Sequence, residues 1–232
     1  MNRTKIAFIA LLLAGQSVAY AQSGILDRIR TGNVIRLGYI EDAAPFSSLG
    51  EDRQPQGYMI DLCREVANGV RTQLNLPTLE TRWVPLTVQN RLDAVRKGTV
   101  DLECSTTTWT LSRQAVVDVS LITFVDGGSI LARTGTKMAR LLDIDGKRVA
   151  VIAGTTTERV LQDALAQRSL KTELVAVKSR SEGLKLLEAG KVDGLAADRT
   201  TLIGLVGGRV PSAFTLLEES EEFSVQPESV SL

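Results

Sequence analysis

The chain of 232 residues contains no histidine. That absence removes general-base catalysis by imidazole, and with it the zinc, copper and non-haem iron centres that rest on histidine ligands. Cysteine is nearly as scarce. Two residues cannot supply a four-ligand structural zinc site, so the sequence is read as carrying no metal and no cofactor. An excess of either charge is missing as well, with 27 Lys+Arg against 27 Asp+Glu, whereas nucleic-acid binding draws on a basic surplus gathered on one face. Nor does any segment beyond the first residues approach the roughly 18 to 20 apolar residues of a membrane span. What is present, 44% hydrophobic and 23% charged residues, suffices for a substantial core in one large domain or two small lobes.

Arg3 and Lys5 precede an apolar run from Ile6 to Leu13, and Ala19-Tyr20-Ala21 forms an A-x-A cleavage signal before Gln22. Residues 1–21 therefore read as a cleaved secretory signal peptide. The mature chain then carries 25 basic and 27 acidic residues, a net charge of about −2. Export also places Cys63 and Cys104 in an oxidising compartment, where an even pair raises the prospect of a disulfide. Two small buried thiols are the alternative.

Apolar runs alternate with helical periodicity, the mark of an α/β layout with mainly parallel sheet. Strands are expected at Val34–Gly38, Glu80–Val84, Val100–Cys104, Ser129–Arg133, Arg148–Ala153, Glu173–Val177 and Gly194–Ala197. Helices are expected at Ile60–Leu74, Gln89–Lys97, Thr156–Gln167 and Glu182–Ala189. In the first of these, Leu62, Val66, Val70 and Leu74 recur every four residues, with Cys63 and Ala67 widening the stripe. The pattern restarts beyond residue 125, and Arg96-Lys97-Gly98-Thr99-Val100-Asp101 is echoed by Glu188-Ala189-Gly190-Lys191-Val192-Asp193. Two similar lobes are implied, with the polar segments at their strand ends gathered at one crevice.

Those strand ends suit an anion. Gly154-Thr155-Thr156-Thr157-Glu158 follows a strand and opens a helix, with the capping-box spacing between Thr155 and Glu158. Free N–H groups at a helix N-terminus attract carboxylate or phosphate, although the spacing is equally that of an ordinary cap. Ser179-Arg180-Ser181-Glu182 repeats it and reads as a cap alone. Thr106 and Thr108 lie at alternate positions of an extended segment, and Arg113 follows five residues later. That set can grip a carboxylate bidentately while the hydroxyls donate further bonds. Asp198, at the end of a strand, can accept an ammonium group or cap the next helix.

Gly57-Tyr58-Met59-Ile60-Asp61-Leu62 after Pro45-Phe46, Gly98-Thr99-Val100-Asp101, the Ser/Thr cluster with Arg113, Val117-Asp118-Val119-Ser120 and Gly154-Thr155-Thr156 occur in an order that resembles the periplasmic amino-acid-binding proteins of bacterial ABC importers. Gln89-Asn90-Arg91 and Asp101-Leu102-Glu103-Cys104 are similar to segments of the glutamate/aspartate-binding subgroup. The resemblance spans residues 34–226. It implies a two-lobed Venus-flytrap fold, each lobe a mainly parallel sheet flanked by helices. Residues 22–122 would form lobe 1, residues 123–216 lobe 2, and residues 217–232 a shortened return towards lobe 1. It implies further that Arg91, Thr106, Thr108, Arg113, Thr155, Thr156 and Asp198 hold the ligand. Tyr39 and Trp109 can wall the side-chain pocket, with ordinary core packing as the alternative for an aromatic near a strand end. The expected partners are a polar amino acid, acidic ones included, and an inner-membrane permease with its ATPase, served by a periplasmic monomer.

Three features depart from the pattern. Ile40 and Val88 stand where the acidic-ligand subgroup is expected to carry arginine and serine. Glu228-Ser229-Val230-Ser231-Leu232 does not resemble the return strand and closing helices, so part of lobe 1 is expected to be missing. A different class, periplasmic dehydratases of the arogenate or prephenate type, shares this fold and would use Glu158 as a general acid. The capping box already accounts for Glu158, and the chain is read as a non-enzyme.

Overall fold

The computed structural model describes residues 24–207, 209 and 212–232; the expected signal peptide lies outside them. The chain begins with α1 (Ile25–Gly32), β1 (Val34–Tyr39) and three short strands, β2 (Asp42–Ala43), β3 (Ser47–Leu49) and β4 (Pro55–Gln56). It continues through α2 (Tyr58–Gln73), β5 (Glu80–Pro85), α3 (Arg91–Arg96), β6 (Leu102–Thr108) and a short α4 (Leu111–Gln114). The long β7 (Phe124–Arg133) precedes β8 (Arg148–Ile152), α5 (Thr156–Arg168), β9 (Glu173–Val177), α6 (Arg180–Glu188) and β10 (Gly194–Asp198). Last come α7 (Arg199–Val206), β11 (Phe214–Leu216) and β12 (Val225–Ser231).

Two βαβαβ units repeat one construction. In the first, β1 lies between β5 and β6, all parallel; in the second, β8 lies between β9 and β10, again parallel. The sequence echo falls at equivalent places in the two. Gly98 and Gly190 adopt φ of 64° and 68°, the left-handed conformation that lets a chain leave a helix and turn back. Asp101 then accepts the Arg36 backbone N–H at 2.7 Å and the Arg36 guanidinium at 2.8 Å. Asp193 accepts the Arg148 N–H at 2.9 Å and its Nε at 3.4 Å. Each carboxylate pins the start of its unit's third strand to the first.

The units are joined through β7 and β12. Val125–Gly127 of β7 pair with β12, whereas Gly128–Ala132 pair with β10, so β7 crosses from one unit to the other. Strand β12 lies antiparallel between β6 and β7. Glu228–Ser231, which the sequence did not identify with a return strand, are thus inside the sheet. The pairing is long-range, Glu228 with Thr108 and Ser229 with Thr107, and no local pattern announces it. The same pairing carries β6 through Thr108, beyond the Cys104 end expected from apolar character, and it buries Ser105, Thr106, Thr107 and Thr108.

Helix α2 turns most of its expected stripe inward: Cys63, Ala67 and Leu74 are buried and Leu62 and Val70 pack against them. Met59, Ile60, Cys63 and Ala67 are buried while Val66 is exposed, because Cys63 is bonded to Cys104 of β6 and fixes the helix on that strand. Ile35, Leu37, Phe46 and Leu102 complete this core, and Ile130, Val149, Val151, Leu161 and Ala196 form its counterpart in the second unit. Each of the Val, Leu, Ile and Phe side chains among them contributes about 1.5–3 kcal/mol on burial. That rigidity holds the polar strand ends in place.

Candidate functional site

Apart from one residue of β12, the site's polar groups come from carboxyl ends of parallel strands or the helices that follow, where open α/β sheets leave donors and acceptors unspent. Arg91 begins α3, Thr106 and Thr108 end β6, Thr155 to Thr157 open α5, Arg180 opens α6 and Asp198 ends β10. Together with Gln226 of β12 they line one cavity of about 20 Å³, room for a single water. Both units contribute. Thr108 Oγ1 lies 2.9 Å from Thr156 Oγ1 across the junction, and Gln226 Oε1 sits 3.1 and 2.9 Å from the two hydroxyls. The Gln226 amide donates to Thr157 Oγ1 at 3.1 Å. A crossing-strand glutamine therefore ties both threonine clusters together.

Charge is concentrated there. Arg91 is 4% exposed, and its Nε has no hydrogen-bond partner. Burial pulls its guanidinium below the ordinary arginine value, Glu103 opposes that shift and Arg180 adds to it. Arg180 is equally buried; its Nη2 donates to Thr106 Oγ1 at 3.3 Å and lies 3.6 Å from Asp198 Oδ2, while Nε and Nη1 donate to nothing. Asp198 makes no side-chain cap for α7. Its Oδ1 instead accepts from Thr157 Oγ1 at 3.3 Å. Glu228 lies behind Thr108, 3.4 Å from its hydroxyl, with Oε2 unpartnered; burial and the nearby Asp198 raise its carboxyl well above the ordinary value, against Arg91 and Arg113.

The other expected residues are placed as follows. Thr155 caps α5 by accepting the Glu158 N–H at 3.1 Å, while the Glu158 carboxylate accepts the N–H of Gly154, just before the cap, at 2.7 Å and is engaged there. Arg113 stands beside the cavity rather than in its wall. Its Nη1 donates to the Thr108 carbonyl at 2.7 Å, and it faces a neighbouring cleft with Thr156 and Arg159. Burial and Arg91 lower its pKa to about 10. Tyr39 does not reach the cavity: it packs edge-on against Trp83 at 6.3 Å within the first core. Trp109 is half-buried and joins β12 through its N–H to the Pro227 carbonyl at 2.6 Å. Ile40 and Val88 border a separate cleft of about 500 Å³ with Leu86, Lys178 and Ser179.

Arg180, Thr157 and Gln226 escaped the reading of the sequence. For Arg180 a signal existed. Ser179 and Glu182 cap α6 as Thr155 and Glu158 cap α5, so the β9–α6 junction is the same kind of strand end. Gln226 gave none, since its position follows from strand pairing alone. The units touch elsewhere too: Ser181 N–H donates to Asp42 at 2.8 Å, and Gln89 donates to the Lys178 carbonyl at 3.3 Å. Among the described residues no cluster of three metal-ligating side chains exists, and no helix is long and apolar enough to cross a membrane.

The family model described as bacterial extracellular solute-binding proteins, family 3, matches residues 35–167. An L-glutamate/L-aspartate-binding protein of Pseudomonas aeruginosa is 36% identical over 199 residues, covering 85% of this chain and 66% of that protein. A glutamate/aspartate import solute-binding protein of Salmonella typhimurium is 31% identical over 203 residues, covering 84% and 67%. The chain thus spans about two thirds of the length of these curated relatives. Among solved structures, a periplasmic binding protein of an ABC transporter from Brucella ovis, with glutathione bound, superposes with a TM-score of 0.79 at 24% identity, over 89% of this chain and 64% of that one.

Proposed function

We infer a function from one premise: the chain belongs to family 3 of the bacterial extracellular solute-binding proteins. It is the periplasmic solute-binding component of an amino-acid ABC importer, and it closes two lobes around a polar amino acid that it hands to a membrane permease and its ATPase. Residues 22–122 make lobe 1, residues 123–216 make lobe 2, and residues 217–232 return to lobe 1 after cleavage of a leader at residues 1–21. One observation carries this reading. A cavity at the lobe junction is lined by two guanidinium groups with unspent donors, five threonine hydroxyls and a carboxylate, the complement of an α-amino acid.

In detail, Thr106, Thr108 and Thr156 donate to the α-carboxylate, Arg113 steadies Thr108 through its carbonyl, and Asp198 accepts the ammonium group. Each bond to a charged group is worth about 1.5–3 kcal/mol. Because the ligand touches both lobes, it favours the closed arrangement by its differential affinity for it. The mechanism is closure without reaction. A thermal-shift panel of glutamate, aspartate, glutamine, asparagine, arginine, small dicarboxylates and arogenate tests it, since a ligand of the native state raises the melting point. A shift by one or a few amino acids supports the reading. A cooperative melt moved by none of them refutes it, and one moved by arogenate alone favours an enzyme.

A further inference from the structure

We propose that Asp42 is an inter-lobe latch that draws the lobes together without touching the ligand, and so scales the affinity for every amino acid by one common factor. This rests on the two-lobe reading above. The state of α6 is the first ground. Its own end groups cap it: Ser179 Oγ accepts the Glu182 N–H at 3.1 Å, and the Glu182 carboxylate accepts the Lys178 N–H at 2.8 Å. The Ser181 N–H lies in the first turn, where no carbonyl of the same helix can accept it. Its acceptor is Asp42 Oδ2 of the opposite lobe, at 2.8 Å. A carboxylate at the positive end of a helix is held by the dipole as well as by the bond.

Arg180 is the second ground. Its Nη1 lies 3.9 Å from Asp42 Oδ1, so one carboxylate meets both the helix end and the guanidinium beside it. The side chains of Arg180 and Asp42 are 5% and 13% exposed, a setting in which salt screens such a pair little. Opening the lobes returns these groups to water. The third ground is how firmly Asp42 is held. It sits in β2, paired with Ser48 of β3, while Ser47 Oγ accepts the Ile40 N–H at 3.0 Å and donates to the Ile40 carbonyl at 2.8 Å. Ala43 beside it is fully buried. The carboxylate therefore needs no loop to order before it meets its partners. Asp42 does not line the cavity, so a ligand there adds its bonds to the latch rather than replacing them. A latch that raises the closed fraction raises in proportion the affinity of whatever binds the closed state.

The test is hydrogen exchange of the Ser181 amide in the ligand-free full protein and in its Asp42→Ala and Asp42→Asn variants, with equilibrium binding of L-glutamate and L-glutamine alongside. Because Ser181 has no acceptor in its own helix, slow exchange there reads the latch itself. The expected result is exchange about 10-fold or more slower in the unaltered protein than in Asp42→Ala. Affinity for both ligands then falls about 10-fold or more in that variant, the two losses agreeing within about 2-fold. Asp42→Asn, which keeps an oxygen acceptor without the charge, falls between, and it carries the test if Asp42→Ala does not melt cooperatively. Equal exchange rates in the unaltered protein and the variants, or unchanged affinities, would overturn the latch. A loss confined to one ligand would overturn it too, because it places Asp42 against the ligand. An exchange difference in a protein that binds neither ligand supports the latch and overturns the amino-acid reading alone.

Discussion

Gly204 of α7 is the point where a single methyl group should separate closure from folding. A Cβ built there would lie 2.1 Å from the Ala44 carbonyl oxygen and 2.4 Å from its carbon, backbone atoms of the opposite lobe that cannot rotate away. Ordinary contact requires more than 3.0 Å, so the lobes must part by about 1 Å at this seam in Gly204→Ala. Overpacking of that kind costs about 1–3 kcal/mol. The cost falls on the closed arrangement alone, since α7 itself gains up to about 1 kcal/mol from replacing a helical glycine by alanine. Ligand affinity should therefore fall about 5- to 150-fold, while the ligand-free melting point holds or rises. Calorimetric titration with the preferred amino acid, paired with melts of the free protein, reads both quantities. Affinity within about 2-fold of the unaltered protein would refute the claim that this face closes on ligand.

Further outcomes follow from the same geometry. The Cys63–Cys104 bond closes a loop of 41 residues, so a reductant or the paired Cys→Ala variant should lower unfolding free energy by about 2–4 kcal/mol, measured by denaturant titration. Glu228 has its carboxyl raised in the folded chain by burial, so the folded state keeps a proton that the unfolded chain releases above pH of about 4.5. Stability on this account falls as pH rises from that value through the folded one, and Glu228→Gln should flatten the melting profile and raise the melting point at neutral pH. Arg91→Ala should weaken glutamate or aspartate more than a neutral analogue; equal losses in paired titrations would contradict its role. Arg113→Ala should weaken every amino acid alike, with little change in the melting point of the free protein.

The parallel units were legible because both periodicities are local: apolar runs for β1, β8 and β10, and a glycine stop after α3 and α6. Their echo even marked equivalent residues, Asp101 and Asp193. Thr106, Thr108, Thr156 and Asp198 could be read for the same reason, since each sits at the end of such a run. What stayed hidden depends on long-range pairing. The burial of the Ser and Thr end of β6, and the place of Gln226 and Glu228 in β12, look like polar loop until two strands flank them. The face of α2 was read correctly except at Val66, which the Cys63–Cys104 bond across 41 residues leaves on the exposed side. Tyr39 took the core-packing alternative: its ring lies edge-on to Trp83 within the first core.

Equilibrium dialysis of the purified protein against labelled L-glutamate, with unlabelled glutamine, arginine and glutarate as competitors, addresses the central claim most directly. One saturable site per chain, displaced weakly by glutamine and lost in Asp198→Ala, is the result the cavity predicts. A protein that melts cooperatively yet takes up no amino acid at any concentration would contradict it.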